Sequence, residues 1–365
     1  MSSYLIEPRD PLIVRDGRPM FAGMPQMRSL DFPLPSTLAG LARTRAGAGD
    51  DGRFDHSQIA ALRTLAVRGP WLVTLDANGN ATENFWPAPR DGVWSGGDDD
   101  AAGTDWNALR PHPADADVTT DLERGLELIG FESTPPESKA GPCAPAFWSW
   151  PAIAAWLRDR QKPTRQNVLE PLIHERRMHV AIDPKTGTAV DGALFATDGL
   201  RFWRRMGQTE VRTALAFQTD AERFGLELAT LGGERRLSHV RPHGGGLPTQ
   251  PPGLKDKLAG ESRARVLMAT PACFPDGSAP ESVHGQKVVA VCVGRPDIMS
   301  GWDMEKCGPK PTRRLVPAGS VYWVELPNSS GARADWLARA WAQPASEQAE
   351  QDRVDGFGMT FVGVM

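Results

Sequence analysis

The stretch FPLPSTLAGLARTRAG, residues 32–47, follows the strand-like segment SYLIEP (3–8) and its extended continuation PLIVRDG (11–17), and this order of elements decides the fold of the first part of the chain. The stretch combines two early prolines, a Ser-Thr pair and a run of small residues studded with arginines. Ser36 or Thr37 is placed to cap the free N–H groups of a helix that begins here. The sequence therefore predicts a strand followed by a capped, basic helix.

Three further segments extend this pattern. WLVTL (71–75) and TENFW (82–86) flank Asn78-Gly79, a strong hairpin signal. SWPAIAAWLRDRQ (149–161) predicts a second helix, which tolerates a proline in its first turn. The order strand, helix, strand, strand, helix predicts a ferredoxin-like α+β domain. Residues 91–145 are acidic and rich in Gly and Pro, and we interpret them as an insertion, much of it long loop.

The second half of the chain is rich in strand signals. LIHERRMHVAID (172–183) and TAVDGALFA (188–196) are strand-like runs on either side of PKTG, and together they predict a hairpin. SSGARADWLARAWAQ (329–343) predicts an amphipathic helix that Ser330 can cap. Further strands are predicted at Val211–Phe217, Ala264–Thr270, Lys287–Val293 and Gly319–Leu326.

Length and composition bound the class of protein. Because 365 residues exceed a usual single domain, we expect two domains, at residues 1–162 and 163–365. The composition is globular, and no apolar run approaches the roughly 20 residues that span a bilayer. The first residues lack the basic and apolar regions of an export signal, which predicts a cytoplasmic protein. The four cysteines are scattered and no cofactor motif appears, so we expect neither a metal nor a cofactor.

The net charge of -4 conceals an asymmetry. Residues 1–150 contain 13 Lys and Arg against 21 Asp and Glu, whereas residues 151–365 contain 28 against 24. Cations that cluster on one surface can bind phosphate whatever the total charge, because salt screens distant acids. The alternative is that these cations form a solvated basic surface that binds no phosphate.

The start of the first predicted helix is one candidate site. A helix N-terminus offers unpaired N–H groups and a partial positive charge. Ser36, Thr37, Arg43 and Arg45 add donors there for a phosphate backbone. An ordinary capped helix is the alternative.

The motif HERRMHV is the second candidate. Because side chains alternate along a strand, Arg176 and Met178 should share one face, and Arg177 and His179 the other. At least one arginine should then face solvent or a ligand. A metal or acid–base pair of His174 and His179 is the alternative, but their spacing puts the two rings on opposite faces.

Two more segments place cations beside glycines. In LGGERR (231–236) a Gly-Gly turn permits close backbone approach, and Arg235 and Arg236 follow at once. A Pro/Gly loop that leads into a strand crowds four cations into nine residues, which solvent or an anion must compensate: Lys306, Lys310, Arg313 and Arg314. The closing GFGMTFVG (356–363) is interpreted as a glycine-flanked strand, since a dinucleotide fingerprint would have to open a helix.

In this order, across nearly the whole chain, these segments resemble the family of third subunits of the type III-B CRISPR Cmr effector complex, which are RAMP proteins. The matching segments are DPLIVRDGRPM, FPLPSTLAGLART, ERRMHVAID…TGTAVDGALF, LGGERR, VLMATPACF, and GWDMEKCGPKPTRRLVPAGSVYW with GFGMTFVG. The resemblance implies an α+β fold of two ferredoxin-like (RRM/RAMP-type) domains with antiparallel sheets, extended loops and a C-terminal glycine-rich segment. A sister subunit of a related type III system is the alternative.

The resemblance also implies a non-catalytic, RNA-binding scaffold in antiviral defence. Such subunits hold the repeat-derived 5′ tag of the guide RNA, dock the large polymerase-like subunit and adjoin the backbone RAMP subunit along the guide. By this similarity the RNA-binding residues include Ser36, Thr37, Arg43, Arg176, His179, Lys310, Arg313, Arg314, Gly356 and Gly358. Arg45, Arg235, Arg236 and Lys306 complete the predicted set.

Two other functions remain open. A metal-independent RAMP endoribonuclease would process guide precursors with a histidine as general base and a lysine or arginine that stabilises the charged transition state. The seven histidines include no pair that the sequence places together. A purely protein-binding adaptor would keep its guide affinity when Arg313 and Arg314 become alanine, whereas an RNA scaffold would lose affinity and salt dependence.

Overall fold

The structure is a computed structural model that describes residues 1–17, 27–49, 52–95, 106–113, 120, 122, 125–135, 146–206, 208–221, 224, 228–303 and 308–365. Its helices are α1 (Pro35–Ala46), α2 (Ile59–Arg63), α3 (Trp150–Asp159), α4 (Leu254–Gly260), α5 (Ser330–Ala340) and α6 (Glu350–Asp355). None of these helices is long and apolar enough to cross a membrane.

The strands of the first part of the chain are β1 (Ser2–Pro8), β2 (Val67–Leu75), β3 (Ala81–Pro87), β4 (Gly92–Trp94), β5 (Trp106–His112), β6 (Leu128–Phe131), β7 (Phe147–Ser149), β8 (Val168–Leu169), β9 (Ile173–Ile182), β10 (Ala189–Arg201), β11 (Trp203–Met206) and β12 (Thr209–Thr219). The later strands are β13 (Leu228–Leu231), β14 (Arg236–His243), β15 (Arg263–Met268), β16 (Ser282–Val283), β17 (Gln286–Cys292), β18 (Asp297–Met299), β19 (Trp302–Asp303), β20 (Gly308–Pro309), β21 (Arg313–Leu315), β22 (Val321–Glu325) and β23 (Thr360–Gly363). The predicted α+β class with antiparallel sheets is confirmed, and strands outnumber helices in the described residues.

The larger sheet contains nine strands within the described ranges, in the order β13-β14-β1-β12-β2-β3-β7-β8, with β11 paired to β12. Strand β1 lies between β14 and β12, and β2 lies on the far side of β12. Helix α1 connects β1 to β2 and packs on one face of the sheet. Its buried Leu38 and Ala42 join Ile6, Leu72 and Phe217 in one apolar cluster.

The smaller sheet has the order β16-β17-β22-β15-β23, counted over the residues that are described. Its strand β15 likewise lies between β22 and β23, with β17 beside β22. Helix α5 connects β22 to β23 and buries Trp336, Leu337 and Ala340, as its amphipathic pattern predicts. Ser329 rather than Ser330 caps this helix, because its side chain accepts from the N–H of Ala332 at 3.2 Å.

Strand pairing crosses the predicted domain boundary. Strands β12 and β14 both follow residue 163, yet each pairs with β1 near the start of the chain. The main strands of the smaller sheet begin only at Arg263. The division into domains at residues 1–162 and 163–365 stays a prediction, and strands from both ranges share one sheet. The local patterns identified strands but could not show which distant strand each would pair with.

Aromatic side chains join the two sheets in one core. Trp71 and Trp86 of the larger sheet stack with ring centroids 5.3 Å apart. Trp86 also meets Phe361 of the smaller sheet edge to face, at 4.9 Å. Because each such ring buries on the order of 150–250 Å², these contacts hold the sheets against each other.

Residues 91–145 contain more regular structure than the predicted long loop. Their described parts include β4, β5 and β6, which form a three-stranded sheet. Trp94 and Trp106 of this sheet are buried, with ring centroids 5.2 Å apart. The strands escaped prediction because the glycines and acidic residues around them dominate the composition of the segment.

A buried ion cluster attaches this small sheet to the rest of the protein. The fully buried carboxylate of Asp91 accepts from Arg265 at 2.6 Å, Arg160 at 2.5 Å and the Trp156 indole at 3.0 Å. Burial alone would raise the pKa of Asp91, but the charges of the two arginines outweigh it and hold the pKa below its usual value. The cluster thus ties α3 and β15 to the start of β4.

Helix α1 begins at Pro35, so the predicted capping residues Ser36 and Thr37 lie inside its first turn. Leu34 is the N-cap residue, and no side chain caps the helix. Proline suits this position because its missing N–H would have no partner there. The Oγ of Ser36 instead lies 4.0 Å from the sulfur of Met299 in β18.

Candidate nucleic-acid interface

Strands β9 and β10 form a two-stranded ribbon outside both large sheets. His179 pairs with Phe195 and Arg177 with Thr197, so the predicted hairpin is confirmed. At its turn the N–H of Gly187 donates to the carbonyl of Asp183 at 2.8 Å. Most residues of both strands away from the base of the ribbon are exposed.

The two faces of the ribbon differ in chemistry. The register confirms the predicted alternation, because Arg176 pairs with Asp198 on one face and Arg177 with Thr197 on the other. The face that carries Arg176, called here the apolar face, exposes Met178, Val180, Ile182 and Leu194. The opposite face carries charged and aromatic side chains: Glu175, Arg177, His179 and Phe195.

A row of rings and guanidinium groups runs along this second face and continues onto β11. We call it the ribbon stripe, and it consists of His179, Phe195, Arg177, Arg201 and Trp203. The His179 ring stacks on Phe195 with centroids 5.2 Å apart and planes 18° apart. The Arg201 guanidinium lies 4.8 Å from the centroid of the Trp203 ring, a side chain that is 48% exposed.

Glu175 holds the two arginines of the stripe in place. It accepts from Arg177 Nε at 2.6 Å and from Arg201 at 2.9 and 2.5 Å. The hydrogen bond from Arg201 is the main cause that lowers the pKa of Glu175, so this carboxyl is ionised at neutral pH. Two guanidinium groups share one carboxylate, which leaves the group with net positive charge. Where an exposed ring lies beside guanidinium groups, a base can stack on the ring while the guanidinium groups contact phosphates.

The base of the ribbon is tied to the segment that precedes α1. The His174 ring lies between two carboxylates, with Nδ1 2.9 Å from Asp198 and Nε2 3.1 Å from Asp31. His179 instead places Nε2 2.9 Å from the Thr197 hydroxyl. The alternative of a His174–His179 pair is therefore wrong. In the part of the chain that the structure describes, no cluster of three or more His, Cys, Asp and Glu is arranged to hold a metal.

Segments that are distant in sequence meet around this base. Leu12 and Leu200 exchange backbone hydrogen bonds of 2.9 and 2.8 Å. The LGGERR turn reaches the same place, because the N–H of Gly233 donates to the carbonyl of Ile13 at 2.7 Å. A Cβ on Gly232, whose φ is 71°, would lie 2.3 Å from that carbonyl oxygen, so only glycine fits. Helix α1, which follows Asp31, contacts β18 through Ser36 and Met299. Strand β21 pairs with β18 and so also lies near α1.

One family matches this sequence along nearly its whole length. The sequence model of the CRISPR-associated protein (Cas_Cmr3) family matches residues 4–365. The chain belongs to the Cas_Cmr3 family. No curated protein gives a significant match.

Solved structures similar to this Cas_Cmr3 family member come from type III CRISPR assemblies. A chain in the cryo-EM structure of the type III-B Cmr-beta bound to cognate target RNA and AMPPnP is 16% identical, with a TM-score of 0.49 over 88% of this chain and 86% of that one. A chain of Cmr-beta bound to cognate target RNA is 17% identical, with a TM-score of 0.46 over 88% and 86%. A chain of the Csm3–Csm4 subcomplex in the type III-A CRISPR-Cas interference complex is 10% identical, with a TM-score of 0.36 over 90% and 93%. The family assignment rests on the family match and not on these likenesses.

Two predicted RNA-binding arginines of this Cas_Cmr3 family member make ion pairs with helix α6. Arg43 donates to the carbonyl of Leu62 at 3.0 Å and to the carboxylate of Asp355 at 2.5 Å. Arg313 donates two hydrogen bonds of 2.9 Å to Asp352. A phosphate would have to compete with these carboxylates, and RNA contact by either arginine stays a prediction.

The predicted glycines at the end of α6 are buried and serve close packing. Gly356 and Gly358 have φ values of 93° and 75°, which favour glycine. A Cβ on Gly356 would lie 2.6 Å from the carbonyl oxygen of Val67, and one on Gly358 would lie 2.7 Å from the backbone nitrogen of Ser346. Their contact with RNA also stays a prediction.

The other predicted residues occupy several parts of the surface. Arg176, Arg235, Lys310 and Arg314 are exposed, whereas Ser36, Thr37, Arg45, Arg236 and His179 are half-buried. Lys306 lies outside the described residues. Of the predicted set, His179 belongs to the ribbon stripe and Arg176 to the opposite face of the same ribbon.

The sequence reasoning missed Phe195, Arg201 and Trp203. The latter two lie in the run LRFWRR (200–205), where basic and aromatic residues are interleaved at the end of a strand. Such interleaving is typical of single-stranded nucleic-acid contacts and could have identified them. Within this run Arg204 is used inside the protein, since it donates to Glu170 at 2.8 Å.

Proposed function

We propose that this Cas_Cmr3 family member is a non-catalytic RNA-binding scaffold subunit of a type III-B CRISPR effector. In this role it holds the 5′ tag of the guide RNA and contacts the large polymerase-like subunit and the backbone RAMP subunit. Family membership supports the CRISPR context. The observation that carries RNA binding is the ribbon stripe, with the exposed ring of Trp203, the half-buried His179–Phe195 pair and the shared guanidinium groups.

The stripe suits a single strand better than a duplex. Unpaired bases can stack on rings such as Trp203 and the His179–Phe195 pair, while Arg177 and Arg201 contact the backbone. Stacking of this kind accepts any base, and the guanidinium groups carry no sequence information on phosphate. The stripe therefore supplies affinity and position for the strand.

The apolar face of the ribbon supports the docking role. Met178 and Leu194 are 57% and 58% exposed there, beside Val180 and Ile182. A contiguous exposed apolar surface is typical of a protein–protein contact. A ribbon with two chemically different faces can hold RNA on one side and a neighbouring subunit on the other.

We infer that each large sheet belongs to a ferredoxin-like domain. In that fold the first strand lies between the third and the fourth, and the second strand flanks the third. The order β14-β1-β12-β2 fits this rule, and so does β23-β15-β22-β17. The strands from β3 to β11 would then be an insertion between the second and third strands of the first domain. The extended loops and the glycine-rich terminus belong to the same proposal.

The test measures binding of the purified full chain to a short single-stranded RNA that carries the 5′ repeat tag. Fluorescence anisotropy gives the affinity at several salt concentrations. We expect Trp203→Ala to weaken binding roughly 5- to 150-fold, because stacking on one ring contributes about 1–3 kcal/mol per base. Trp203→Phe should retain most of the affinity, and Arg177→Ala should weaken binding and reduce its salt dependence.

Exposed residues far from the ribbon provide matched controls. Ile59→Ala removes an exposed apolar side chain, and Arg339→Ala removes an exposed arginine of α5. Both should bind the tag like the parent chain. Equal affinities for the parent, Trp203→Ala and Arg177→Ala would refute RNA binding by the stripe.

The endoribonuclease alternative is tested on the same preparation. We expect no cleavage when a repeat-containing precursor RNA is incubated with the chain in EDTA. Cleavage that His174→Ala or His179→Ala abolishes would overturn the non-catalytic role. The adaptor alternative is tested with Arg314→Ala, because Arg313 is already paired with Asp352. An affinity unchanged in every ribbon variant and in Arg314→Ala would favour the adaptor.

A further inference from the structure

A cleft lies between the two sheets and the segment that precedes α1. Its volume is about 180 Å³, which is smaller than a site for a drug-sized ligand and leaves room for one ring system. Rigid apolar groups form its walls, including five prolines and the rings of Phe32 and Phe147. These two rings have centroids 5.2 Å apart and planes 56° apart. The walls thus offer flat and inflexible surfaces to a planar ligand.

Three charged side chains line this mostly apolar cleft: Asp31, Arg90 and Asp297. Asp31 is bonded to His174 at the base of the ribbon and is 93% exposed, so it marks the mouth. Asp297 is half-buried, and this burial raises the pKa of its carboxyl. The positive charge of Arg90 acts in the opposite direction and lowers that pKa. Among the residues that the structure describes, neither the Asp297 carboxylate nor the Arg90 guanidinium has a hydrogen-bonding or ion-pair partner.

The position of Arg90 is built into the backbone around it. Its N–H donates to the carbonyl of Gly319 at 2.8 Å, which fixes the start of the side chain. A Cβ on Gly294 would lie 2.4 Å from the Arg90 guanidinium carbon, so this glycine makes room for the group. The Asp297 carboxylate, an acceptor, and the Arg90 guanidinium, a donor, therefore both line the cleft, and the two groups do not form an ion pair with each other.

We propose that this cleft binds one unpaired guanine base of the RNA, a step that rests on the proposed function. Guanine presents two donors, N1–H and the N2 amino group, side by side on its Watson–Crick edge, and a carboxylate can accept both. Its O6 and N7 acceptors match an arginine. Adenine and cytosine place a ring acceptor beside their single donor group, and uracil flanks its one donor with two carbonyls. Asp297 would repel those acceptors, whereas Phe32 and the prolines would pack on any base.

The charges favour a base over an apolar side chain of a partner protein. An inserted leucine or proline would bury the half-buried Asp297 carboxylate without a hydrogen bond, at substantial cost. A base that satisfies both groups avoids this cost. The cleft also adjoins the base of the ribbon through Asp31 and His174, so a strand on the ribbon can place one base in it.

The experiment uses the full chain and fluorescently labelled single-stranded RNA. An all-uridine strand is compared with strands that carry one guanine at each position in turn. We expect one guanine position to bind roughly 5- to 150-fold tighter than all-uridine RNA, the discrimination of one good bidentate base contact. Replacing that guanine with inosine, which lacks the N2 amino group, or with 7-deazaguanine, which lacks N7, should each remove part of the gain.

The variants assign the preference to the cleft. Asp297→Asn and Arg90→Gln should lose the guanine preference while binding all-uridine RNA like the parent. Asp335→Asn, which changes an exposed carboxylate of α5, serves as the control. Thermal melts verify that each variant is folded. All-uridine binding with no guanine preference overturns the guanine site and leaves the proposed function standing. No binding of any strand overturns both, and a preference that survives both cleft variants shows that another site reads the base.

Discussion

Replacing Asp91 by asparagine tests the buried ion cluster that joins the small three-stranded sheet to α3 and to β15 of the smaller sheet. The carboxylate is fully buried, and its partner Arg265 has a side chain only 1% exposed. Asparagine keeps the shape but loses the charge, and its amide N–H groups face donors. Arg265 is then left as a buried cation without a counter-charge.

The expected loss in free energy of unfolding is about 3–5 kcal/mol, the cost of removing one partner from a buried ion pair. Arg160 adds a second donor to the same carboxylate at 2.5 Å, which places the effect toward the upper end. Urea unfolding followed by tryptophan fluorescence measures the change. The indole of Trp156, one of the twelve tryptophans, donates to Asp91, and the emission follows global unfolding.

An exposed ion pair provides the matched control. Lys287 and Glu325 are 3.4 Å apart, with side chains 69% and 49% exposed. Glu325→Gln should therefore cost less than about 1 kcal/mol. The double variant Asp91→Asn/Arg265→Met should be more stable than Asp91→Asn alone, since it removes the uncompensated cation. A loss of under about 1 kcal/mol in Asp91→Asn would refute the reasoning.

Two further predictions concern stability. Gly356→Ala should lower the free energy of unfolding by at least about 1–2 kcal/mol, because its φ is 93° and the new Cβ would meet Val67, whereas Gly40→Ala, an open helical position, should raise it by about 0.5–1 kcal/mol. Both changes are measured by urea unfolding, and a Gly356→Ala variant as stable as the parent would contradict the packing argument. Burial lowers the pKa of His284 to about 4, so the unfolded chain binds one more proton than the folded chain between about pH 6.5 and 4. Stability should fall across this range by about 3 kcal/mol as the pH decreases, and His284→Asn, which tolerates the positive φ, should flatten that part of the curve. An equally steep pH dependence in His284→Asn would assign the proton to another group.

Local patterns predicted the elements of this protein better than their arrangement. The hairpin at β9 and β10 follows from its alternation and turn, and the two faces of HERRMHV were predicted correctly. The strands around Trp94 and Trp106 were hidden by their glycine-rich and acidic surroundings. The pairing of β1 with β12 and β14 spans more than 200 residues, and no local pattern encodes which strand fills that place.

The site shows the same limit. The sequence does not show whether a basic residue will form an ion pair with a carboxylate in the folded protein. Arg313 pairs with Asp352 of α6, a helix that lies later in the chain. Gly356 was noticed for its flexibility, whereas its structural role is the close approach to Val67. The Asp297–Arg90 pair could not be predicted, because the two residues lie 207 positions apart in the sequence and have no motif in common.

The ribbon explains why RNA-contacting and protein-contacting groups would be found together. It belongs to neither large sheet, so its outer side chains have no core to enter and must meet solvent or a partner. A free two-stranded hairpin is only marginally stable in water. Here the contacts of His174 with Asp31 and Asp198 fix the base of the ribbon. The outer part, from Met178 around the turn to Leu194, has no contact with the described core residues that would stabilise it. Under the proposed function, RNA on the stripe and a subunit on the apolar face would each stabilise the same ordered hairpin, and each would therefore favour the other's binding.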